Sequence, residues 1–416
     1  MNEQYLEKLA DLAVKEGVNL QPGQKLVINF STDHLPLARL AARKAWKAGA
    51  ADVILRLSDD QMEHDRLLLA PEELFETLPE WKKTLLEDSA SEGAAYLSLD
   101  GEDPDLMADT DPLRSMKQRR MINQNCKRYR SGLDNGLNAW SIIPCATEAW
   151  AAKVYPELNE KDGMDALWSD LFSFCRIDDN DAADNWNDHD RRLQNRCANL
   201  NRKQFKAFHY TNDKGTDLMV EMPKEHVFMG GSEKLQNGRR ILCNIPTEEV
   251  FCAPQRDAVN GHLVAVLPLN HGGKLVKDFW FDFKDGKVVD YGASEGLDVL
   301  KSIVEADDGS DHLGEIAMVP VDSPIAMKKR IYYNTLIDEN ASCHFALGSA
   351  YRTCVKGGET LDNEAAREKG LNTSAMHVDF MVGDESLNIV GITEDGKEIP
   401  VMTGGLFESW LDEEVQ

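Results

Sequence analysis

The chain has 416 residues, 42% of them hydrophobic, so it is long enough for two packed domains and too apolar to be a disordered polymer. Its 72 acidic residues outnumber its 46 basic ones, which gives a formal net charge of −26. This charge repels phosphate backbones and excludes nucleic acid from the expected partners. Short peptides with a free ammonium group remain compatible with it.

The first 20 residues are charged and have the spacing of a helix, without the basic and apolar regions of a signal peptide. No apolar run approaches the roughly 18 residues that span a bilayer. We therefore expect a cytoplasmic protein without a membrane partner. The eight cysteines form no Cys-x-x-Cys pair, so we expect reduced thiols in the core.

The first half alternates strand and helix patterns. "KLVINF" (25–30) and "ADVILRL" (51–57) are compact apolar strands, and the stretch between them (35–50) has helical spacing. Two further apolar stretches, 94–101 and 139–145, are predicted as buried strands. The pattern predicts an α/β N-terminal domain, residues 1–200, with a mostly parallel sheet covered by helices. No glycine-rich phosphate-binding motif occurs in it.

The polar stretch 176–208 has a helical pattern, and its aspartate run lacks the glycine and final glutamate of a calcium loop. Beyond it the chain changes character. Stretches 278–292 and 388–402 each place Asp-Gly between two alternating arms, which predicts hairpins. We expect an α+β C-terminal domain, residues 201–416, with mixed antiparallel strands and the metal site.

The stretch "MHVDF" (376–380) places two polar side chains inside an apolar run. On a strand, His377 and Asp379 point to one face and their neighbours point into a core. An imidazole and a carboxylate fixed side by side suit a cation, which offsets the desolvation of the carboxylate. An ordinary hydrogen-bonded His–Asp pair is the alternative.

The stretch "LIDENASCHFALGSAY" (336–351) is interpreted as a helix start followed by a helix, with Asp338 or Asn340 as its cap. His344 and Tyr351 are seven residues apart, about two helical turns, so the interpretation places them on one helix face.

Carboxylates occur in two further apolar stretches. Glu248 and Glu249 are adjacent in "NIPTEEVFCAP", so in an extended chain only one of them faces a site. Glu315 opens the apolar strand in "HLGEIAMVP", as a ligand or as a solvated end group. Together with the two histidines and the tyrosine, these residues supply the types of ligand that a site for two divalent metals uses. No His-Glu-x-x-His helix occurs.

These stretches resemble a known family. "NIPTEEVFCAP", "LGEIAMVP", "DENASCHFALGSAY" and "MHVDFMVG" are similar, in this order, to motifs of the bacterial aminopeptidase T, aminopeptidase S and PepS-type metalloaminopeptidases. The likeness extends to "DLAVKEGVNLQPGQ", "DPDLM", "AWAAKVYPEL" and "GTDLMV", and so covers nearly the whole chain. The resemblance implies removal of N-terminal residues from short peptides, in a homodimer with enclosed active sites.

The same resemblance implies two divalent ions per subunit, zinc or cobalt in most members, with manganese or magnesium as options. The ligands it implies are Glu249, Glu315, His344, Tyr351, His377 and Asp379. It makes Glu315 or Asp379 the bridge between the ions. For catalysis we expect Tyr351 to stabilise the oxyanion, if it is not itself a ligand, and Glu339 or Glu248 to shuttle the proton.

Three rival functions fit parts of the sequence. "GASEG" (292–296) has the G-x-S-x-G spacing of a serine hydrolase, but the strand before Ser294 is predicted to be antiparallel, and the alternative is that Ser294 caps the next helix. A catalytically inactive metal-binding homologue would be expected to lack ligands, and none of the six is missing. A two-metal phosphate-ester hydrolase is disfavoured because no basic cradle accompanies the motifs.

Overall fold

The computed structural model describes residues 2–271 and 273–415, and these divide into two compact units. The first unit contains the residues up to Asp188 together with two short later segments, Ser232–Pro246 and Tyr332–Asn334. The second unit contains the rest of the described chain. Each unit is therefore built from separate stretches of sequence.

The helices begin and end as follows: α1 (Glu3–Leu12), α2 (Leu35–Lys47), α3 (Asp60–Leu69), α4 (Glu80–Ser91), α5 (Pro112–Asn125), α6 (Lys127–Asp134), α7 (Glu148–Val154), α8 (Glu160–Phe174), α9 (Ala182–Lys203), α10 (Leu297–Val304), α11 (Thr335–Asp338) and α12 (Asn363–Glu368). Several begin at a side chain that accepts a hydrogen bond from a free N–H of the first turn, such as Asp59 before α3 and Thr147 before α7. Among the described residues, no helix combines the length and apolarity that crossing a membrane would need.

The strands are β1 (Lys25–Ser31), β2 (Asp52–Ser58), β3 (Ala95–Asp100), β4 (Trp140–Pro144), β5 (Ala207–Thr211), β6 (Asp217–Glu221), β7 (Glu233–Lys234), β8 (Arg240–Ile241), β9 (Val250–Cys252), β10 (Val259–Val264), β11 (Leu269–His271), β12 (Lys274–Val276), β13 (Trp280–Lys284), β14 (Lys287–Gly292), β15 (Leu313–Met318), β16 (His344–Gly348), β17 (His377–Met381), β18 (Asn388–Ile392), β19 (Glu398–Thr403) and β20 (Leu406–Phe407).

The main sheet of the first unit is parallel throughout. Its strand order is β2-β1-β3-β4, and β1 pairs with a parallel neighbour on each side. The adjacent residues Val27 and Ile28 of β1, which point to opposite faces, are both buried, as expected of a central strand covered on both faces. The predicted α/β architecture of the N-terminal region is confirmed.

Besides the two-stranded pair β11-β12, the second unit contains two larger antiparallel sheets. One has the order β14-β13-β10-β6-β5-β18-β19-β20, and the other has the order β17-β16-β15-β9. Both predicted hairpins are present: β13 pairs with β14 and β18 with β19, each across an Asp-Gly turn. Gly286 in the first turn has a φ of +82°, a left-handed conformation that favours glycine.

The two sheets of the second unit pack through aromatic rings. Tyr210 of the larger sheet contacts Phe345 of the smaller one at a centroid distance of 5.0 Å, and Phe281 contacts Phe380 at 5.1 Å. All four side chains are buried in one apolar cluster. One face of the smaller sheet packs into this core, and the other face is free to carry polar side chains.

The cysteines are confirmed as buried free thiols. The predicted cap of α10 is wrong. Gly296 occupies the N-cap position and offers no side-chain cap, and the Ser294 hydroxyl instead donates to Asp278 Oδ2 at 2.7 Å and to the Lys277 carbonyl at 3.2 Å. The strand before Ser294 is antiparallel to its neighbour, as predicted.

Candidate metal centre

The smaller sheet of the second unit has one apolar and one polar face. Residues that alternate along β9, β15, β16 and β17 belong to the buried apolar cluster, and they are Val250, Cys252, Ile316, Met318, Phe345, Leu347, Val378 and Phe380. The residues between them point to the opposite face. The alternation predicted for "MHVDF" is therefore present, with His377 and Asp379 on the polar face.

Strand register places the polar side chains of β15 and β17 on either side of small residues of β16. Ala346 of β16 pairs with Glu315 on one side and with Asp379 on the other. Gly348, which lies two positions after Ala346 in β16, pairs with His377. A bulge between Leu313 and Glu315 shifts the register of β15 and fixes where the glutamate meets β16.

Small residues lie between the polar ones. Ala317 and Ala346 are buried on the polar face, and each is flanked across the strands by larger side chains. Gly348 has a φ of +109°, and a Cβ atom there would lie 2.2 Å from the Met376 carbonyl oxygen. The residues between the polar side chains on this face are therefore small, and at Gly348 a larger residue would meet the backbone.

Two groups of potential ligand atoms form on this face. Glu249, Glu315 and His344 each offer an atom within 4.8 Å of the others, and so do Glu315, His377 and Asp379. Glu315 belongs to both groups. The sequence separates the first and last of these residues by 130 positions, so only the sheet brings them together.

Both histidines are oriented in the same way. The Nδ1 atom of His344 donates to the Ser342 carbonyl at 3.1 Å, and that of His377 donates to the Ser349 carbonyl at 2.7 Å. Because Nδ1 is occupied, each ring presents Nε2 to carboxylates. His344 Nε2 lies 3.1 Å from Glu249 Oε2, and His377 Nε2 lies 2.9 Å from Glu315 Oε2 and 3.2 Å from Asp379 Oδ1.

Burial and charge oppose each other at the two histidines. Burial by itself lowers the pKa of His344, but the adjacent Glu249 carboxylate, followed by the charges of Asp379 and Glu315, raises the pKa to about 10. Burial likewise disfavours the charged form of His377, and the carboxylates of Asp379 and Glu315 outweigh it and raise the pKa well above its ordinary value. Both imidazoles thus lie in a strongly negative field.

The carboxyl groups repel one another. Burial raises the pKa of Glu315, and His377 opposes the rise only in part. Burial also raises the pKa of Glu339 well above its ordinary value, with the charges of Glu249 and Asp379 adding to it. Two imidazoles face four carboxyl groups here, which is an excess of negative charge that a bound cation would offset.

The predicted helix over residues 336–351 is wrong in its second half. α11 ends at Asp338, and His344 instead begins β16, a strand whose residues are all buried. Tyr351 follows this strand, half exposed, with its ring 5.3 Å from that of His377 and 5.6 Å from that of Phe251. The ring therefore lies at the His377 side of the face, although the helix geometry predicted for it does not exist.

Glu339 lies in a short 3₁₀ turn, Glu339–Ala341, and belongs to neither group of ligand atoms. Of the adjacent glutamates, Glu249 belongs to the first group and Glu248 does not. Asn340 caps no helix. Its side-chain oxygen accepts from the backbone N–H of Glu248 at 2.7 Å, a role that no local sequence pattern indicates.

The segment before β17 is held by Asp307. Its carboxylate accepts from the Ala375 N–H at 2.6 Å and from the Ser374 hydroxyl at 2.9 Å, two and three residues before His377. Burial by itself raises the pKa of Asp307, but the N–H groups of Ala375 and Gly309 and the Ser374 hydroxyl outweigh it and lower the pKa.

We expect Asp307→Asn to destabilise the protein in a pH-dependent way. A carboxyl group whose pKa is lowered on folding stabilises the folded state above its ordinary pKa of about 3.9, and this contribution disappears as the pH falls through the folded-state pKa. The loss should be about 1–2 kcal/mol at neutral pH and should shrink on acidification. Urea unfolding across pH measures it, with the exposed Asp308→Asn as control. A loss that stays constant with pH would contradict the assignment.

The fold and the site match proteins of one family. The model of the thermophilic metalloprotease (M29) family matches residues 2–407. "Aminopeptidase 2" of Geobacillus stearothermophilus is 42% identical over 403 residues, which cover 97% of each chain. "Aminopeptidase AmpS" of Bacillus subtilis is 39% identical over 402 residues, which cover 97% of this chain and 98% of the relative.

A solved structure agrees with this relationship. Wild-type AmpT from Thermus thermophilus superposes with a TM-score of 0.90 at 35% identity, covering 97% of this chain and 99% of that one. The match includes both the parallel and the antiparallel regions described above. The chain therefore belongs to the thermophilic metalloprotease (M29) family, whose members are metal-dependent hydrolases of peptide bonds.

Proposed function

We propose that the protein is a metal-dependent aminopeptidase that removes N-terminal residues from short peptides with the help of two divalent cations. The observation that carries the proposal is the pair of histidines. Each is anchored through Nδ1 to a backbone carbonyl and presents Nε2 to buried carboxylates. Metal-binding imidazoles typically have this arrangement, because the outer hydrogen bond fixes the ring and its tautomer.

The donor set fits divalent metals. Glu249, Glu315 and His344 would hold one cation, and Glu315, His377 and Asp379 would hold the other, with Glu315 as the bridge. Mixed carboxylate and imidazole ligands suit zinc, cobalt or manganese, and magnesium less well. When bound, such ions supply an activated water near neutral pH and polarise the substrate carbonyl.

The remaining groups of the site have roles in positioning and proton transfer. The acidic face attracts the free ammonium group of a peptide, which orients the first peptide bond. Cations bound beside Glu339 would favour its ionised form, which would take a proton from the attacking water and pass it to the leaving amine while a C–O bond forms and the C–N bond breaks. Tyr351 lies on the accessible side, where its hydroxyl can donate to the oxyanion or complete the coordination of a cation.

The same proposal includes a cytoplasmic homodimer that acts on short peptides and binds neither nucleic acid nor membranes. The names of the relatives support the peptide substrate, and the net charge of −26 disfavours nucleic acid. A serine mechanism has little support, because the Ser294 hydroxyl donates to a carboxylate rather than to a histidine. An inactive homologue is disfavoured because the ligand groups are complete.

Three substrates test the reaction class. We expect the protein to hydrolyse leucine p-nitroanilide and to discriminate against N-acetyl-leucine p-nitroanilide by about 10⁴-fold, because the blocked substrate lacks the ammonium group that the acidic face would bind. p-Nitrophenyl phosphate should not be hydrolysed, and a serine-directed fluorophosphonate should leave the activity unchanged. Equal rates on the free and blocked anilides would refute an aminopeptidase, and inhibition by the fluorophosphonate would favour Ser294.

A further inference from the structure

The segment that precedes the Glu249 carboxylate is held by two buried side chains from elsewhere in the second unit. The ring of His189, in α9, donates from Nε2 to the Thr247 carbonyl at 2.8 Å, since a carbonyl can only accept. The amide oxygen of Asn340 accepts from the Glu248 N–H at 2.7 Å. Two successive residues before Glu249 are thus fixed through their backbone atoms.

Both side chains are buried, and that of Asn340 is also held by a further hydrogen bond. Asn340 is fully buried, and its side-chain Nδ2 donates to the Leu336 carbonyl at 2.9 Å. The backbone carbonyl of Asn340 accepts from the Ser323 hydroxyl at 3.2 Å. His189 is 4% exposed. Buried polar groups of this kind are costly unless their hydrogen bonds are made, so the observed arrangement is strongly preferred over alternatives.

The other side of Glu249 is fixed by β9. Phe251, two residues later, exchanges backbone hydrogen bonds with Met229 at 2.8 and 2.9 Å and pairs with Ala317 of β15. Glu249 therefore lies between a paired strand and a segment held by side chains. Its backbone has little freedom, and its carboxylate reaches His344 Nε2 at a fixed distance of 3.1 Å.

We propose that Asn340 and His189 are positioning residues for the Glu249 carboxylate and thereby set the metal affinity of the first ligand group. The inference rests on the proposed metal centre and assigns to it two residues outside the ligand set. Because Asn340 directly follows Glu339, the same amide also fixes the spacing between the proton-transfer carboxyl and the ligand. Outer hydrogen-bond partners of metal sites have effects of this kind.

The test compares zinc affinity, measured by competition with a chromophoric chelator, among matched variants of the full chain. Asn340→Leu removes both amide hydrogen bonds at similar volume. Asn199→Leu is the control: Asn199 is equally buried in the same unit and donates to the Leu411 and Glu413 carbonyls, at 3.1 and 2.9 Å. His189→Gln keeps a side-chain N–H donor that can reach the Thr247 carbonyl, and His189→Leu lacks one.

We expect Asn340→Leu and His189→Leu to weaken zinc binding about 10- to 100-fold, and His189→Gln and Asn199→Leu to bind zinc like the wild type. If Asn340→Leu does not fold, the two His189 variants decide the question. Wild-type affinity in His189→Leu, or equal losses in His189→Gln and His189→Leu, would overturn the inference while leaving the metal centre intact. Failure of the wild type to bind any of zinc, cobalt and manganese would overturn the inference and the proposed function together.

Discussion

Glu315→Gln is expected to remove most of the metal affinity and nearly all of the peptidase activity. Glu315 is the residue shared by the two groups of potential ligand atoms, so its loss would weaken both groups at once. The amide keeps the size of the side chain but loses the charge, and its oxygen is a weaker ligand. Removing an outer hydrogen-bond partner of a metal ligand typically lowers the metal affinity about 10- to 100-fold. Removing a direct ligand that both groups share should lower it by more than about 100-fold.

The variant should also have an unusual stability profile. Glu315 is 4% exposed and lies near other carboxyl groups, so its negative charge destabilises the folded state when no metal is bound. We expect metal-free Glu315→Gln to melt at or above the temperature of the metal-free wild type, and the order to reverse when zinc is added. Thermal melts with and without zinc measure both states. Glu221→Gln, in β6 of the other sheet, is the control, and wild-type zinc affinity in Glu315→Gln would contradict the assignment.

Removal of metal should abolish the activity and lower the melting temperature. A ligand at 100 times its dissociation constant stabilises the folded state by about 2.7 kcal/mol, which corresponds to a shift of about 5–10 °C for a unit of roughly 200 residues. Activity on leucine p-nitroanilide should return when zinc or cobalt is added back. Full activity after exhaustive chelation, verified by elemental analysis, would exclude a metal mechanism.

Titration of the metal-free protein should reveal two ions per chain and a release of protons. The pKa of His344 is raised to about 10 in the absence of metal, so its imidazole carries a proton at neutral pH that a cation must displace. Affinity should therefore fall as the pH is lowered. Calorimetry in buffers of different ionisation enthalpy counts the protons released. A stoichiometry of one metal ion per chain would contradict the proposal of two ions.

Strand alternation allowed part of the site to be predicted. In "MHVDF" the polar residues alternate with buried apolar ones, and His377 and Asp379 lie on one face as expected. The same reasoning failed at His344 because β16 is central and every residue in it is buried. A short apolar run of this kind has no alternation, and local periodicity cannot distinguish it from a buried helix.

Other features depend on contacts between distant parts of the chain. The bulge before Glu315 decides which residue of β16 it faces, and no local pattern indicates that register. His189 lies in the polar helix α9, for which the sequence predicts a helix and no contact with a site, and Asn340 is one of two residues that the sequence offers as a helix cap. Their hydrogen bonds to the segment before Glu249 span 58 and 92 positions, which only the folded chain reveals. The ligand set itself came from resemblance, because spacing left it open.

The small size of Ala317, Ala346 and Gly348, which lie between the polar side chains, has a consequence for sorting related chains. A protein of this lineage could keep every coordinating side chain and still lose its metals if a valine or leucine replaced Ala346. A search for degenerate members by ligand residues alone would then miss it. We therefore expect members that have lost metal binding to differ either at the proposed binding groups or at the small residues between them.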